Sequence, residues 1–177
     1  MNGTYSPVDE LNLLMVLQDR LGFENYADGF GLTDFGDISG LVAGWSKDPE
    51  FTDRLIPFAQ ANGSGSFYAL WRLDDRAELA TLPVVVFGDE GGEHVVACHV
   101  RELFQLLGFD SEIRVDGAEA YFYRGEDEAY SDCHDEFVAW LDDNFGLSAA
   151  QDPAAVLAAA QAELGQRFTD WTRPFLS

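Results

Sequence analysis

The chain has 177 residues, 47% of them hydrophobic and 14% aromatic, which excludes the disordered class and predicts a single domain over residues 1–177 around one covered core. Its 32 acidic against 10 basic residues give a formal charge of -22, with Lys47 the only lysine and no basic run anywhere. Direct binding to nucleic acid or to an anionic membrane surface is therefore not expected, because both rest on clustered Lys and Arg.

Ser6, Pro7 and Asp9 carry a helix-start signature, and a helix is predicted over 7–20, with Leu11, Leu14, Met15, Leu17 and Leu21 at near-helical spacing and Gly22 to stop it. From 23 to 45, Gly29, Gly31, Gly36, Gly40 and Gly44 interrupt aromatic and aliphatic residues, a pattern of turns between short extended pieces. Four β-rich segments follow at 55–59, 67–73, 82–87 and 94–97, and a meander is the simplest way to connect them. Asn62-Gly63-Ser64-Gly65 reads as the tight connection between the first two, and Asp74-Asp75 ends the second at solvent. The segment 82–87 is apolar on both faces with Pro83 at its start, so it should be a buried strand.

Val100, Leu103, Phe104 and Leu107 then share one helical face, with Gly108 ending the run. Residues 112–124, with Ile113, Val115, Tyr121 and Tyr123, read as further extended structure before an acidic loop, Glu126-Asp127-Glu128. Two helices close the chain, over 132–144 with Phe137, Trp140 and Leu141 inward, and from 153 to 168, after which Trp171 and Phe175 should dock the C-terminus. The fold class is thus α+β, a mostly antiparallel sheet of four to six strands flanked by N-terminal and C-terminal helices.

Chemistry is sparse. Cys98-His99 and Cys133-His134 supply zinc-type residues, but cysteines in zinc motifs stand two to four positions apart, and adjacent residues diverge on a strand or a helix. No metal site and no cofactor is expected, and both cysteines should be free thiols. Asp89-Glu90-Gly91-Gly92-Glu93 could hold a cation or act as acid and base, yet it has no Lys, Arg or substrate anchor beside it and reads as a solvated turn. No P-loop, dinucleotide fingerprint or Gly-x-Ser-x-Gly elbow is present, so no catalytic residue is assigned. In the aromatic run 67–71, Phe67, Ala69 and Trp71 share one face of a strand while Tyr68 and Leu70 share the other, and Tyr68 is a candidate interface anchor if its face is open. The opening residues have no basic stretch, Asn12 interrupts the apolar stretch 11–17, and no run approaches the 18 or so apolar residues that span a bilayer. A cytoplasmic location is expected.

Residues 62–71 (Asn-Gly-Ser-Gly-Ser-Phe-Tyr-Ala-Leu-Trp), 82–91 (Leu-Pro-Val-Val-Val-Phe-Gly-Asp-Glu-Gly), and Val96-Ala97 leading into Leu103-Phe104-Gln105-Leu106-Leu107 resemble the SUKH superfamily, most clearly over 55–107. Phe137-x-x-Trp140-Leu141 and Phe168-x-x-Trp171 are similar to its immunity-type members, while the usual Leu-Pro-x-x-aromatic segment after the first helix is not found. The resemblance implies an α+β immunity protein of a bacterial polymorphic toxin system, with relatives among fungal cell-wall regulators and proteins of large DNA viruses.

Resemblance and charge together lead to the expectation of a non-enzymatic protein that blocks a cognate toxin, a basic nuclease in the simplest case, by stoichiometric binding. The candidate contacts are Tyr68, Asp74, Asp75, Asp89, Glu90, Glu93, Glu126, Asp127 and Glu128. A regulatory or scaffold protein without a toxin, and a carboxylate-dependent hydrolase, are the alternatives. Acidity by itself identifies no surface. A folded chain of this size exposes roughly 8,600 Å², so one side of a standard interface, about 800 Å² over 20–30 residues, carries about two net negative charges by chance.

Overall fold

The computed structural model of the chain describes residues 4–176. Helix α1 spans Asp9–Leu21, with Asp9 and Glu10 at its positive end and Gly22 (φ 99°) closing it. It starts two residues later than the sequence suggests. Ser6 does not cap the helix directly: its Oγ accepts the N–H of Val8 (3.0 Å), while Asn12 Oδ1 accepts the N–H of Ser6 (2.8 Å). The glycine-rich stretch that follows holds a two-residue strand, β1 (Gly31–Leu32), and two short helices, α2 (Ser39–Gly44) and α3 (Pro49–Thr52). At the start of α3 Asp48 accepts the N–H of Glu50 (2.9 Å) and Pro49 occupies the first turn, where its missing N–H does no harm.

Strands β2 (Leu55–Gln60), β3 (Phe67–Trp71), β4 (Val84–Phe87) and β5 (Glu93–Ala97) form the expected antiparallel meander, and β1 extends it, giving the order β1-β2-β3-β4-β5. Every residue of β4 is buried, as its two-sided apolar sequence requires. Helix α4 (Val100–Gly108) follows β5. Strands β6 (Ile113–Val115) and β7 (Ala120–Phe122) make a separate antiparallel hairpin, and α5 (His134–Phe145) and α6 (Pro153–Leu176) complete the chain. Helix α6 runs well past 168, because Phe168, Trp171 and Phe175 continue one apolar stripe: Trp171 stacks on Phe51 at 5.4 Å, and Phe168 meets Trp71 at 4.9 Å. Along the free edge of β5, Gln161 of α6 donates to the carbonyl of Val95 (3.2 Å), which satisfies one edge acceptor within the chain.

The sheet has apolar cover on both faces. Phe58, Tyr68, Leu70, Val84, Val86 and Val96 pack with residues of α1, α4 and α5, whereas Leu55, Ala69, Trp71, Val85, Phe87 and Val95 pack with α2, α3 and α6. This corrects one expected contact. Tyr68 is 1% exposed, its ring 6.1 Å from that of Phe30, so it is a core residue and not an interface anchor. Alternation correctly separates the two faces of β3, but helices cover each of them. Among the described residues, no helix is long and apolar enough to cross a membrane.

Candidate functional site

The candidate site is a cleft of about 510 Å³ bounded by the β2–β3 connection, the β4–β5 turn, the β6–β7 hairpin and the loop before β1. Asn62 ties its base together. Its buried amide accepts the N–H groups of Ser64 (3.2 Å) and Ser66 (3.1 Å) through Oδ1 and donates through Nδ2 to the carbonyl of Ile113 (2.9 Å), so the connection is tied to strand β6. The β4–β5 turn closes against the same hairpin. Gly92 has φ 93°, and a Cβ there would fall 2.1 Å from the carbonyl oxygen of Asp116; at Gly88 it would fall 2.8 Å from Val115. Only glycine permits this approach.

Six carboxylates line the cleft, those of Asp28, Asp89, Glu90, Glu112, Asp116 and Glu128, against the single guanidinium of Arg114. Five net negative charges on 14 lining residues exceed the two expected by chance on a larger patch. Neutral donors orient most of them. Asp89 accepts the hydroxyl of Ser66 (2.9 Å), Glu112 the N–H of Gly63 (2.9 Å), Glu128 the N–H of Gly125 (3.3 Å), and Asp116 the N–H groups of Ala118 and Glu119 (2.8 Å each). Among the described residues, none of the six takes part in an ion pair; the arginine partners lie elsewhere, at Glu136, Asp75, Asp74, Glu10, Asp110 and Asp170.

The backbone bonds hold the Asp116 carboxyl below its ordinary pKa. Asp28 is pushed the other way, first by partial burial and then by the neighbouring charges of Glu112 and Asp110. Two tyrosines complete the lining: Tyr121 and Tyr123 are 40% and 58% exposed. Behind them, buried Asp110 accepts the N–H of Asp28 (2.8 Å) and both the N–H (2.6 Å) and the hydroxyl (2.7 Å) of Ser131, which anchors the loop 125–133 beside the cleft.

Of the contacts expected from sequence, the structure brings Asp89, Glu90 and Glu128 into this cleft. Glu126 and Asp127 are exposed on the same loop as Glu128. Asp74 and Asp75 lie elsewhere and are engaged, Asp74 with Arg76 (2.7 Å) and Asp75 with Arg54 (2.8 Å); the Arg76 contacts hold the Asp74 carboxyl down at about 2. Glu93 accepts the indole N–H of Trp45 (3.3 Å) and lines other recesses. Asp28, Glu112, Asp116, Tyr121 and Tyr123 were not anticipated. Alternation at 121 and 123 was a usable signal for the tyrosines, whereas nothing local marks Asp28 in its glycine-rich stretch.

The cysteines carry no visible chemistry. Both are free thiols, and burial, with help from Glu163 and Glu102, pushes the Cys98 thiol up to about 12, far from the thiolate that nucleophilic attack requires. His99 caps α4, its Nδ1 accepting the N–H of Glu102 (3.2 Å). Among the described residues, no three His, Cys, Asp or Glu side chains converge closely enough to hold a metal ion. No protein-family model, no curated protein and no solved structure matches the chain.

Proposed function

We propose that this protein is an immunity-type inhibitor that binds a basic protein toxin, transforms no substrate, and engages its partner through the acidic cleft. The observation that carries the reading is the set of six carboxylates around one concavity, with no ion-pair partner among the described residues, in a chain of net charge -22. A field of that sign accelerates encounter with a basic enzyme and opposes contact with nucleic acid. Groups held in place by uncharged donors keep their charge available to an incoming cation. The resemblance of residues 55–107 to the SUKH superfamily supports the same reading, since that stretch carries both the β2–β3 connection and the β4–β5 turn that frame the cleft.

The test is co-expression with a candidate toxin encoded beside this gene, scored by growth. Rescue by the native chain, lost on joint Asp28→Asn, Glu112→Gln and Glu128→Gln substitution but kept on Asp74→Asn with Asp75→Asn, is the expected result. Rescue that survives neutralisation of the cleft would remove it as the binding surface.

A further inference from the structure

We propose that the cleft receives an arginine side chain of the partner protein, its guanidinium laid against Tyr121 or Tyr123 and forked between carboxylates of separate segments. This rests on the acidic-cleft reading above and narrows it to the chemical group that enters.

Compact cations fit the lining poorly. The carboxylates stand on four separate segments, at 28, 89–90, 112–116 and 128, and no three of them converge on a point. A metal ion needs convergent ligands, and an ammonium is a point charge on a flexible stem. A guanidinium instead presents five N–H donors in a rigid plane and bridges acceptors that are set apart.

The aromatic wall points the same way. Tyr121 and Tyr123, two residues apart along extended chain, both face the cleft with about half their surface open, and a tyrosine face attracts arginine more often than lysine. The adjoining loop already contains such a pair, with the guanidinium carbon of Arg124 3.9 Å from the centre of the Tyr130 ring. Burial first, and then the charges of Glu112 and Asp110, raise the Asp28 carboxyl; a bound cation of any kind relieves the charge crowding, so the choice of arginine rests on the spread carboxylates and the aromatic wall.

The experiment is calorimetric titration of the full chain with two capped peptides of equal length and charge, one bearing arginines and the other lysines at the same Gly/Ser-spaced positions. Arginine is expected to bind about tenfold tighter. The preference should vanish in Tyr121→Leu/Tyr123→Leu and persist in Tyr121→Phe/Tyr123→Phe, which keeps the aromatic faces. Equal binding of the two peptides overturns the arginine assignment and leaves the acidic-cleft reading standing, provided that Asp28→Asn/Glu112→Gln weakens both. Failure of the native chain to bind either peptide overturns the assignment as well, and binding unaffected by that carboxylate pair overturns the reading beneath it.

Discussion

Arg124 and Asp110 form a buried ion pair beside the cleft, their charged groups 3.8 Å apart and their side chains 10% and 1% exposed. Arg124 also donates to the carbonyl oxygens of Asp110 and Glu128 (2.6 Å each) and lies over the ring of Tyr130, so one side chain joins the end of α4, the hairpin and the acidic loop. Asp110 has φ 63°, a conformation that aspartate tolerates better than most residues. Removing one member of a buried pair leaves an uncompensated charge. Arg124→Leu is expected to cost about 3 kcal/mol in urea unfolding, and adding Asp110→Asn should not restore it, because the Ser131 N–H that the carboxylate accepts would then face an amide donor. A single variant with native stability would show that the pair holds nothing together.

Closure of the cleft depends on Gly92. Alanine there meets a backbone oxygen, that of Asp116 at 2.1 Å, and must also adopt φ 93°, so the turn and the hairpin separate or strain. Gly91→Ala is the control, because φ 103° is equally unfavourable but nothing lies within 4 Å of its Cβ. Gly92→Ala should lose about 3 kcal/mol and Gly91→Ala about 1 kcal/mol. Equal losses in thermal melts would assign the whole effect to backbone conformation and none to contact with the hairpin.

The meander 55–97 followed from alternation and turn residues, since both are local signals, and Val84 to Phe87 announced its burial by being apolar throughout. Burial of Tyr68 was not readable, because the side chains that cover its face come from distant helices and from Phe30, which lies in the glycine-rich stretch where no period emerges. The acidic turn 89–90 was readable as a charged loop. Its company was not: Asp28 and Glu112 join it through Asp110, Asn62 and Gly63, contacts between residues up to 82 positions apart. Asp74 and Asp75 looked equivalent to the cleft residues in sequence, and what separates them is their place in the fold, away from the cleft and paired with Arg76 and Arg54.

Charge in the cleft should govern how fast a basic partner arrives. Neutralising Asp28, Glu112 and Glu128 together is expected to lower the association rate about tenfold at low salt and to flatten its salt dependence, with a smaller effect on dissociation. Asp75→Asn removes the same kind of charge from a group already paired with Arg54, and should change the rate little. Stopped-flow or surface-based kinetics at two ionic strengths reads both. An equal effect from Asp75→Asn would mean that net charge, and not the cleft, steers the encounter.

The same carboxylate that serves the cleft should weaken the fold at neutral pH. Burial, then Glu112 and Asp110, raise the Asp28 carboxyl above its ordinary pKa, so the folded chain binds this proton more tightly than the unfolded chain does. Stability from this group therefore rises as pH falls through the folded value, and the penalty is gone below the unfolded value of about 3.9. Asp28→Asn, which mimics the protonated form, should be more stable than the native chain at pH about 7 and equal to it by pH about 3. Asp74 has the opposite sign. Its carboxyl is held down at about 2 by Arg76, so its contribution is present above about 3.9 and lost as pH falls toward the folded value, and Asp74→Asn should be the less stable chain at neutral pH. Urea midpoints across this range measure both. An Asp28→Asn chain no more stable than the native one at neutral pH would show that the cleft carboxylates impose no strain on the fold, and that their charge is held there without cost.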